Sequence, residues 1–190
     1  MSRIDPGPLG WLAVLGAAGV LAPQVVIAAD YLTVEDAQHA LFPHAERFAE
    51  VALALTPAQH AQVAALAGAQ PPHRSLRAFR ALRGEELLGY VFIDEVIGKQ
   101  DFITYAAGID AAGRLGPLEV LSYRESHGAE VRSDAWRRQF QGRSDLAALK
   151  VQTDIKNIAG ATLSCEHVTQ GVRWLFALWQ VALRSPPAAA

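Results

Sequence analysis

The residues with the clearest potential for chemistry lie at 157–164, where the chain reads Asn-Ile-Ala-Gly-Ala-Thr-Leu-Ser. The Gly160-Ala161 pair lets a bound group come close to the backbone. If a helix begins directly after this segment, its free amides and its dipole favour a phosphate at this position. The hydroxyl of Thr162 is then either a cap of that helix or the atom to which such a group is attached, and both interpretations remain open.

Regular elements are predicted on both sides of this segment. Apolar residues recur at helical spacing over about 164–184, which predicts a long C-terminal helix. Runs of β-branched and aromatic residues separated by glycine turns predict four antiparallel strands over about 76–123, and a short helix is predicted at 133–140. The sequence therefore predicts an α+β fold in which an antiparallel sheet packs against helices and the long helix follows the loop at 157–164.

Shorter elements are predicted before the sheet. Thr33 and Thr56 have the surroundings of N-caps, and the helices that they cap should end near Leu41 and Ala67. The alternation of apolar residues with alanines at 51–55 predicts a short strand between the two helices. These elements form a segment that precedes the main sheet.

The composition narrows the classes of function. The chain has 190 residues, which suits one domain with a short appendage. Its 17 basic and 19 acidic side chains leave a net charge of −2, which argues against sequence-independent binding of nucleic acid. A single cysteine, Cys165, excludes an internal disulfide framework and cysteine-rich metal sites. No HExxH, GxSxG or GxGxxG motif occurs after the N-terminal segment, so zinc-site, hydrolase and dinucleotide-binding functions lack their local signatures. From the charge we expect no nucleic-acid partner.

The N-terminal residues point to export. An apolar run at 9–22 follows Arg3 and is itself followed by small residues, which is the pattern of a secretory signal peptide. We therefore expect residues 1–29 to be removed, a mature chain that starts near Asp30, and a periplasmic or other extracytoplasmic location. If the segment is not cleaved, it is about long enough to anchor the protein in a membrane.

Several motifs follow one another in a fixed order along the chain. They are GKQDFITYAAGID at 98–110, EVLSYRESHGAEV at 119–131, the segment 136–142 and GATLS at 160–164. Together they resemble the FMN-binding domain family, which includes the covalently flavinylated subunits of ion-pumping quinone reductases. The resemblance covers about residues 84–178, and an ordered set of motifs is far more specific than the Gly-Ala-Thr tripeptide alone.

The resemblance implies a covalent flavoprotein that relays electrons. A flavin transferase, with FAD as donor and Mg²⁺ as its cofactor, would join FMN to the Thr162 hydroxyl as a phosphodiester. The flavin would then exchange electrons with a membrane or periplasmic electron-transfer protein. Ala159 and Lys156 depart from the family, in which serine or threonine and aspartate are frequent at these positions, and we expect this departure to slow the transfer without abolishing it.

The resemblance also implies which residues bind the cofactor. They belong to the attachment motif and to the loop after the last strand, and they are Gly160, Ala161, Thr162, Leu163, Ser164, Glu125, Ser126 and Gly128, with His127 as a weaker candidate. The residue types alone allow another interpretation, in which Tyr123 is a core aromatic at a strand end and Glu125 is a solvated loop carboxylate. No catalytic residue and no metal ligand is predicted.

Two other functions remain open beside the electron carrier, which we prefer to a stand-alone enzyme. One is an FMN-dependent reductase of a small substrate, although no acid–base pair is evident beside the loop. The other is a module that holds FMN without a covalent bond. The departures at Ala159 and Lys156 favour the second of these over the first.

These patterns divide the chain into four predicted parts. Residues 1–29 form the signal peptide, and 30–73 form a helical segment with a short strand. The FMN-binding domain is expected at 74–184 and is followed by a disordered tail at 185–190.

Overall fold

The computed structural model describes residues 29–68, 73–125 and 129–184. Three sets of predictions fall outside these ranges: the signal peptide up to residue 28, the candidates Ser126, His127 and Gly128, and the tail at 185–190. The described residues form an α+β fold, as predicted, with helices on both faces of an antiparallel sheet. No helix in the described part of the chain is both long enough and apolar enough to cross a membrane.

The sheet has six strands in the spatial order β1-β6-β5-β4-β3-β2, and each pair of neighbours is antiparallel. The strands are β1 Ala29–Asp30, β2 Arg47–Val51, β3 His73–Arg83, β4 Glu86–Ile97, β5 Phe102–Asp110 and β6 Leu115–Tyr123. The four strands predicted within 76–123 are confirmed as β3 to β6. They form a meander, because each strand pairs with the next one along the chain.

The predicted strand at 51–55 is misplaced, because β2 spans Arg47–Val51. Its last pair joins Val51 to Ala78 of β3, and the chain beyond it has no strand partner. Leu53 and Leu55 are half-buried against the core. Their alternation therefore reflects burial of an unpaired segment, which the sequence pattern cannot distinguish from a strand.

Four α-helices accompany the sheet: α1 Val34–Leu41, α2 Pro57–Ala67, α3 Asp134–Arg137 and α4 Thr162–Leu178. The predicted N-terminal caps are confirmed for α1 and α2, which both begin with a complete capping box. Short 3₁₀ turns lie between β6 and α4, at 129–132, 138–140 and 146–148. A π-helical turn at 179–183 extends α4. The long C-terminal helix thus begins two residues earlier than predicted.

The core fixes α4 on the sheet. This helix lies over β4 and β5, with α2 packed against it, whereas α1 covers the opposite face over β5 and β6. Fully buried side chains join the first of these layers, and they include Phe92, Ile103, Tyr105, Leu118, Val168, Val172 and Leu175. Because α4 is held along its length, its N-terminus has a defined position at the sheet end where β4 and β6 finish.

Candidate functional site

A cavity of about 270 Å³ lies where α4 begins. Three segments line it: Lys99 and Gln100 from the loop between β4 and β5, Glu125 after β6, and residues 160–164. The structure thus brings together six of the eight predicted site residues, namely Gly160, Ala161, Thr162, Leu163, Ser164 and Glu125. We refer to residues 160–164 as the helix wall and to residues 98–101 with Glu125 as the loop wall.

The helix wall exposes backbone amides that no side chain of the described residues caps. The N-cap position of α4 is Ala161, whose methyl group cannot accept a hydrogen bond. The helix begins with the bond from the Cys165 amide to the Ala161 carbonyl, at 2.9 Å. The amides of the first turn before it have no partner within the helix, and the positive end of the helix dipole lies at the same place.

Thr162 is the first residue of α4, and therefore it is not the cap of that helix. Its side chain is exposed, and its Oγ1 accepts a hydrogen bond from Nδ2 of Asn157 at 2.9 Å. Of the two interpretations of this hydroxyl, the structure excludes the cap, and the attachment point stays a prediction. Sequence reasoning missed the role of Asn157, because its contact depends on how the loop turns back on itself.

The glycine of the helix wall is required by the backbone conformation. Gly160 has φ +83°, in the left-handed region, and a Cβ placed on it would meet no atom within 4 Å. The space above Gly160 is therefore open to the cavity. Leu163 is also open to it, with 43% of its surface exposed, whereas Ala161 and Ser164 are buried.

The loop that leads to Thr162 is braced by the segment 136–142. The indole N–H of the buried Trp136 donates to the Lys156 carbonyl at 2.9 Å, and the Lys156 amide donates to Oε1 of Gln139 at 2.7 Å. Both bonds fix the backbone next to Asn157. The segment 136–142 therefore has a physical connection with the GATLS motif that follows it.

The backbone amides of the loop wall bind the side chain of Glu125. Oε1 of Glu125 accepts hydrogen bonds from three successive backbone amides, those of Lys99, Gln100 at 2.6 Å and Asp101 at 3.1 Å. Gly98 closes the turn by donating to the Asp101 carbonyl at 2.7 Å. Glu125 is half-buried by these contacts. It is therefore not a solvated loop carboxylate.

Tyr123 connects the two walls. Its ring is buried in the main core, and its hydroxyl lies 3.5 Å from the Ser164 hydroxyl at the start of α4. Burial raises the pKa of Tyr123 above its ordinary value, so the phenol is neutral near pH 7. Its interpretation as a core aromatic is correct, and it also positions the end of β6 against the helix wall.

Other reactive groups near the cavity are inert. Cys165 is fully buried, and burial raises the pKa of its thiol, which keeps it protonated. Within the described residues, no group of three or more histidine, cysteine, aspartate or glutamate side chains could hold a metal ion.

The residues present fit the phosphate of FMN. The helix wall offers amide donors, a helix dipole and an exposed hydroxyl within one turn, and open space lies over Gly160. The loop wall offers no comparable place, because Glu125 already occupies its amides.

Comparison with known proteins identifies the region that contains this cavity. Residues 98–176 match the model of the FMN-binding domain family. The match begins at Gly98 in the loop wall and ends in α4, so it includes every residue that lines the cavity. No curated protein matches the chain significantly. Residues 98–176 are therefore similar to the FMN-binding domain family, and this similarity supports flavin binding by this part of the chain.

Proposed function

We propose that the protein is an electron-transfer flavoprotein that carries FMN covalently, as a phosphodiester on Thr162. The observation that carries this proposal is the exposed Thr162 hydroxyl on the first residue of an uncapped 17-residue helix, inside a matched FMN-binding domain. An anion attached there lies at the positive end of the helix, an arrangement that contributes about 0.3–1 kcal/mol.

The attachment would exchange the phosphoanhydride bond of FAD for a phosphate ester bond to Thr162. Thr162 Oγ1 forms the bond to the phosphorus of the FMN half of FAD, the P–O bond of the pyrophosphate breaks, and AMP leaves with the electron pair. The hydroxyl proton passes to a base of the flavin transferase, whose Mg²⁺ offsets the charge of the pyrophosphate. Asn157 donates to Oγ1, so it holds the oxygen while leaving the hydroxyl proton free for removal.

The chain then supports the bound flavin. The amides of the first turn of α4 would hold the phosphodiester, and the exposed Leu163 would supply apolar surface beside it. Bound FMN supplies reversible electron transfer, which none of the amino-acid side chains can provide. At about 270 Å³, the cavity is slightly smaller than the roughly 300–1,000 Å³ of pockets that enclose small molecules. This size suits a flavin that stays accessible to a redox partner.

The proposal includes export and a partner at or near a membrane. The apolar run at 9–22 supports a signal peptide or an anchor. Cleavage after residue 29 would remove the Ala29–Tyr123 pair of β1 and leave Asp30, which pairs with Ser122 of β6, at the start of the mature chain. A covalent bond keeps the flavin on a protein that works where free FMN is scarce.

The direct test is the intact mass of the protein after coexpression with a flavin transferase and denaturation. We expect the wild type to gain the mass of FMN minus one water and Thr162→Ala to gain nothing. Thr162→Ser, which keeps a hydroxyl, should be labelled. Flavin that leaves the wild type on denaturation would instead support a non-covalent module, and an equal label on Thr162→Ala would contradict the attachment site.

The reductase alternative has no support from the cavity. The ionisable side chains that line it within the described residues are Lys99 and Glu125. The Glu125 carboxylate is engaged by backbone amides, so the two do not form an acid–base pair that faces a substrate. We therefore retain the electron carrier as the proposed function.

A further inference from the structure

We propose that Glu125 is a positioning residue that fills the anion site of the loop wall from within the chain, and so directs the flavin phosphate to the helix wall. This inference rests on the proposed function. Three successive amides donate to one carboxylate oxygen. Without the carboxylate, the same three amides could bind an anion from outside the chain. Glu125 satisfies that arrangement and at the same time shapes the side of the cavity that faces Thr162.

The packing around Gly98 shows that the carboxylate has a fitted place. A Cβ on Gly98 would lie 2.5 Å from Oε1, 3.1 Å from Cγ and 3.2 Å from Cδ of Glu125. These atoms belong to a side chain held by three amides, so the side chain cannot simply move aside. Gly98 thus leaves the space that Glu125 uses, and the two residues form one unit.

The two residues that precede Glu125 also make contacts of their own. Tyr123, two residues earlier, contacts the start of α4 through Ser164. Arg124, between them, lies 3.7 Å from Asp30 of β1. The end of β6 thereby contacts the helix wall and the edge strand. Its carboxylate is a structural link between the two walls.

Hydrogen exchange of the flavin-free protein tests the link without any cofactor. We expect the amides of Lys99, Gln100 and Asp101 to exchange slowly in the wild type and roughly ten- to a hundredfold faster in Glu125→Ala, the factor expected for a hydrogen bond to a charged group. Glu125→Gln, which keeps an acceptor oxygen, should be intermediate. Glu85→Ala, which removes an exposed carboxylate in the β3–β4 turn, should leave these amides unchanged. Equal exchange in the wild type and Glu125→Ala would overturn the proposal.

A double-mutant cycle tests the fit with Gly98. Gly98→Ala should accelerate exchange of the same amides in the wild type, because the new methyl group displaces the carboxylate. In the Glu125→Ala background it should have little further effect, since the space is then free. Additive effects of the two substitutions would contradict a shared unit.

A flavin readout separates positioning from mere stability. With FMN attached, we expect Glu125→Ala to raise the midpoint potential, because a negative charge beside the cavity is lost and three amide donors are freed to face it. Glu125→Gln should recover part of the shift, and Glu85→Ala should cause none. An unchanged potential in Glu125→Ala would overturn the proposal even where the label on Thr162 persists. Absence of label on the wild type would instead overturn the proposed function and leave the exchange result standing.

Discussion

The two walls of the cavity present backbone amides in similar ways but differ in how those amides are satisfied. On the loop wall, three amides donate to Glu125, a carboxylate of the chain itself. On the helix wall, α4 begins at Thr162 without a side-chain cap among the described residues. An anion from outside the chain therefore has a place on the helix wall and competes with Glu125 on the loop wall. The difference explains why a phosphate should bind beside Thr162.

The other long helices make the contrast sharper. Thr33 and Thr56 cap α1 and α2. The hydroxyl oxygen of each accepts from the amide three positions later, and the backbone amide of each donates to the side chain of that same residue. A missing cap of this kind costs about 1 kcal/mol of stability. At α4, Ala161 occupies the cap position and leaves amides available to a ligand. The uncapped start of α4 is therefore the place where we expect the phosphate to bind.

Apart from the loss of label in Thr162→Ala, the largest effect that we expect comes from Asn157→Asp, beside the helix wall. The new carboxylate cannot donate to Thr162 and repels the incoming phosphate, so flavin transfer should slow roughly ten- to a hundredfold. Asn157→Ala, which removes the donor without adding charge, should slow it less. Because Asn157 is exposed, both variants should unfold within about 0.5 kcal/mol of the wild type. Transfer rates are measured by intact mass over time, and an unchanged rate in Asn157→Asp would contradict a phosphate at this wall.

The brace behind the helix wall gives the next effect. Trp136→Phe removes the indole N–H that donates to the Lys156 carbonyl, and we expect the free energy of unfolding to fall by about 1–3 kcal/mol. Transfer should also slow, because the loop before Thr162 loses its fixed position. Trp179→Phe, at the far end of α4, is the matched control and should destabilise the protein without slowing transfer. Denaturant unfolding and transfer assays of both variants check this, and equal slowing would remove the special role of Trp136.

Two glycines with the same backbone conformation allow the effect of a substitution on stability to be compared with its effect on flavin transfer. Gly160 and Gly142 have φ of +83° and +79°, and a Cβ on either would meet no atom within 4 Å. Substitution by alanine should therefore destabilise each by about 1 kcal/mol. We expect Gly160→Ala alone to slow flavin transfer, since only Gly160 lines the cavity. Thermal unfolding and transfer rates of the two variants are the measurement, and slowing by Gly142→Ala would show that stability alone is responsible.

The smallest effect that we expect is a faster flavin transfer in one variant. Ala159→Ser restores a hydroxyl that is frequent in the family at this position, and one added hydrogen bond to the transferase contributes roughly 0.5–1.5 kcal/mol, or about a two- to tenfold faster transfer. Stability should not change, because Ala159 is exposed. Ala147→Ser, another exposed alanine outside the motif, serves as the control. Slower transfer in Ala159→Ser than in the control would contradict this expectation.

Local signals predicted the elements that depend on neighbouring residues. The capping boxes of α1 and α2 join residues three apart, so Thr33 and Thr56 could be recognised directly in the sequence. The meander of β3 to β6 followed from apolar runs and glycine turns. By contrast, the start of α4 was placed two residues late, because Ala161 carries none of the signals of an N-cap.

The sequence patterns could not predict contacts between residues that are distant in the chain. Glu125 meets amides 24 to 26 positions earlier in the chain, and a carboxylate has the same appearance in a sequence whether it is solvated or engaged. The edge strands β1 and β2 also depend on partners that are distant in sequence. The motif around Thr162 was recognised as a segment, but its contact with Asn157 and its uncapped position became visible only in the fold.

The most direct test of the central claim is the position of the flavin on the chain. After coexpression with a flavin transferase, trypsin should release the peptide 157–173, which begins after Lys156 and ends at Arg173 and carries Thr162, Ser164 and Thr169. Fragment masses of this peptide then locate the flavin. We predict FMN, linked through its phosphate, on Thr162. Flavin on Ser164, on Thr169 or on any peptide outside 157–173 would contradict the assignment of the phosphate to the helix wall at Thr162.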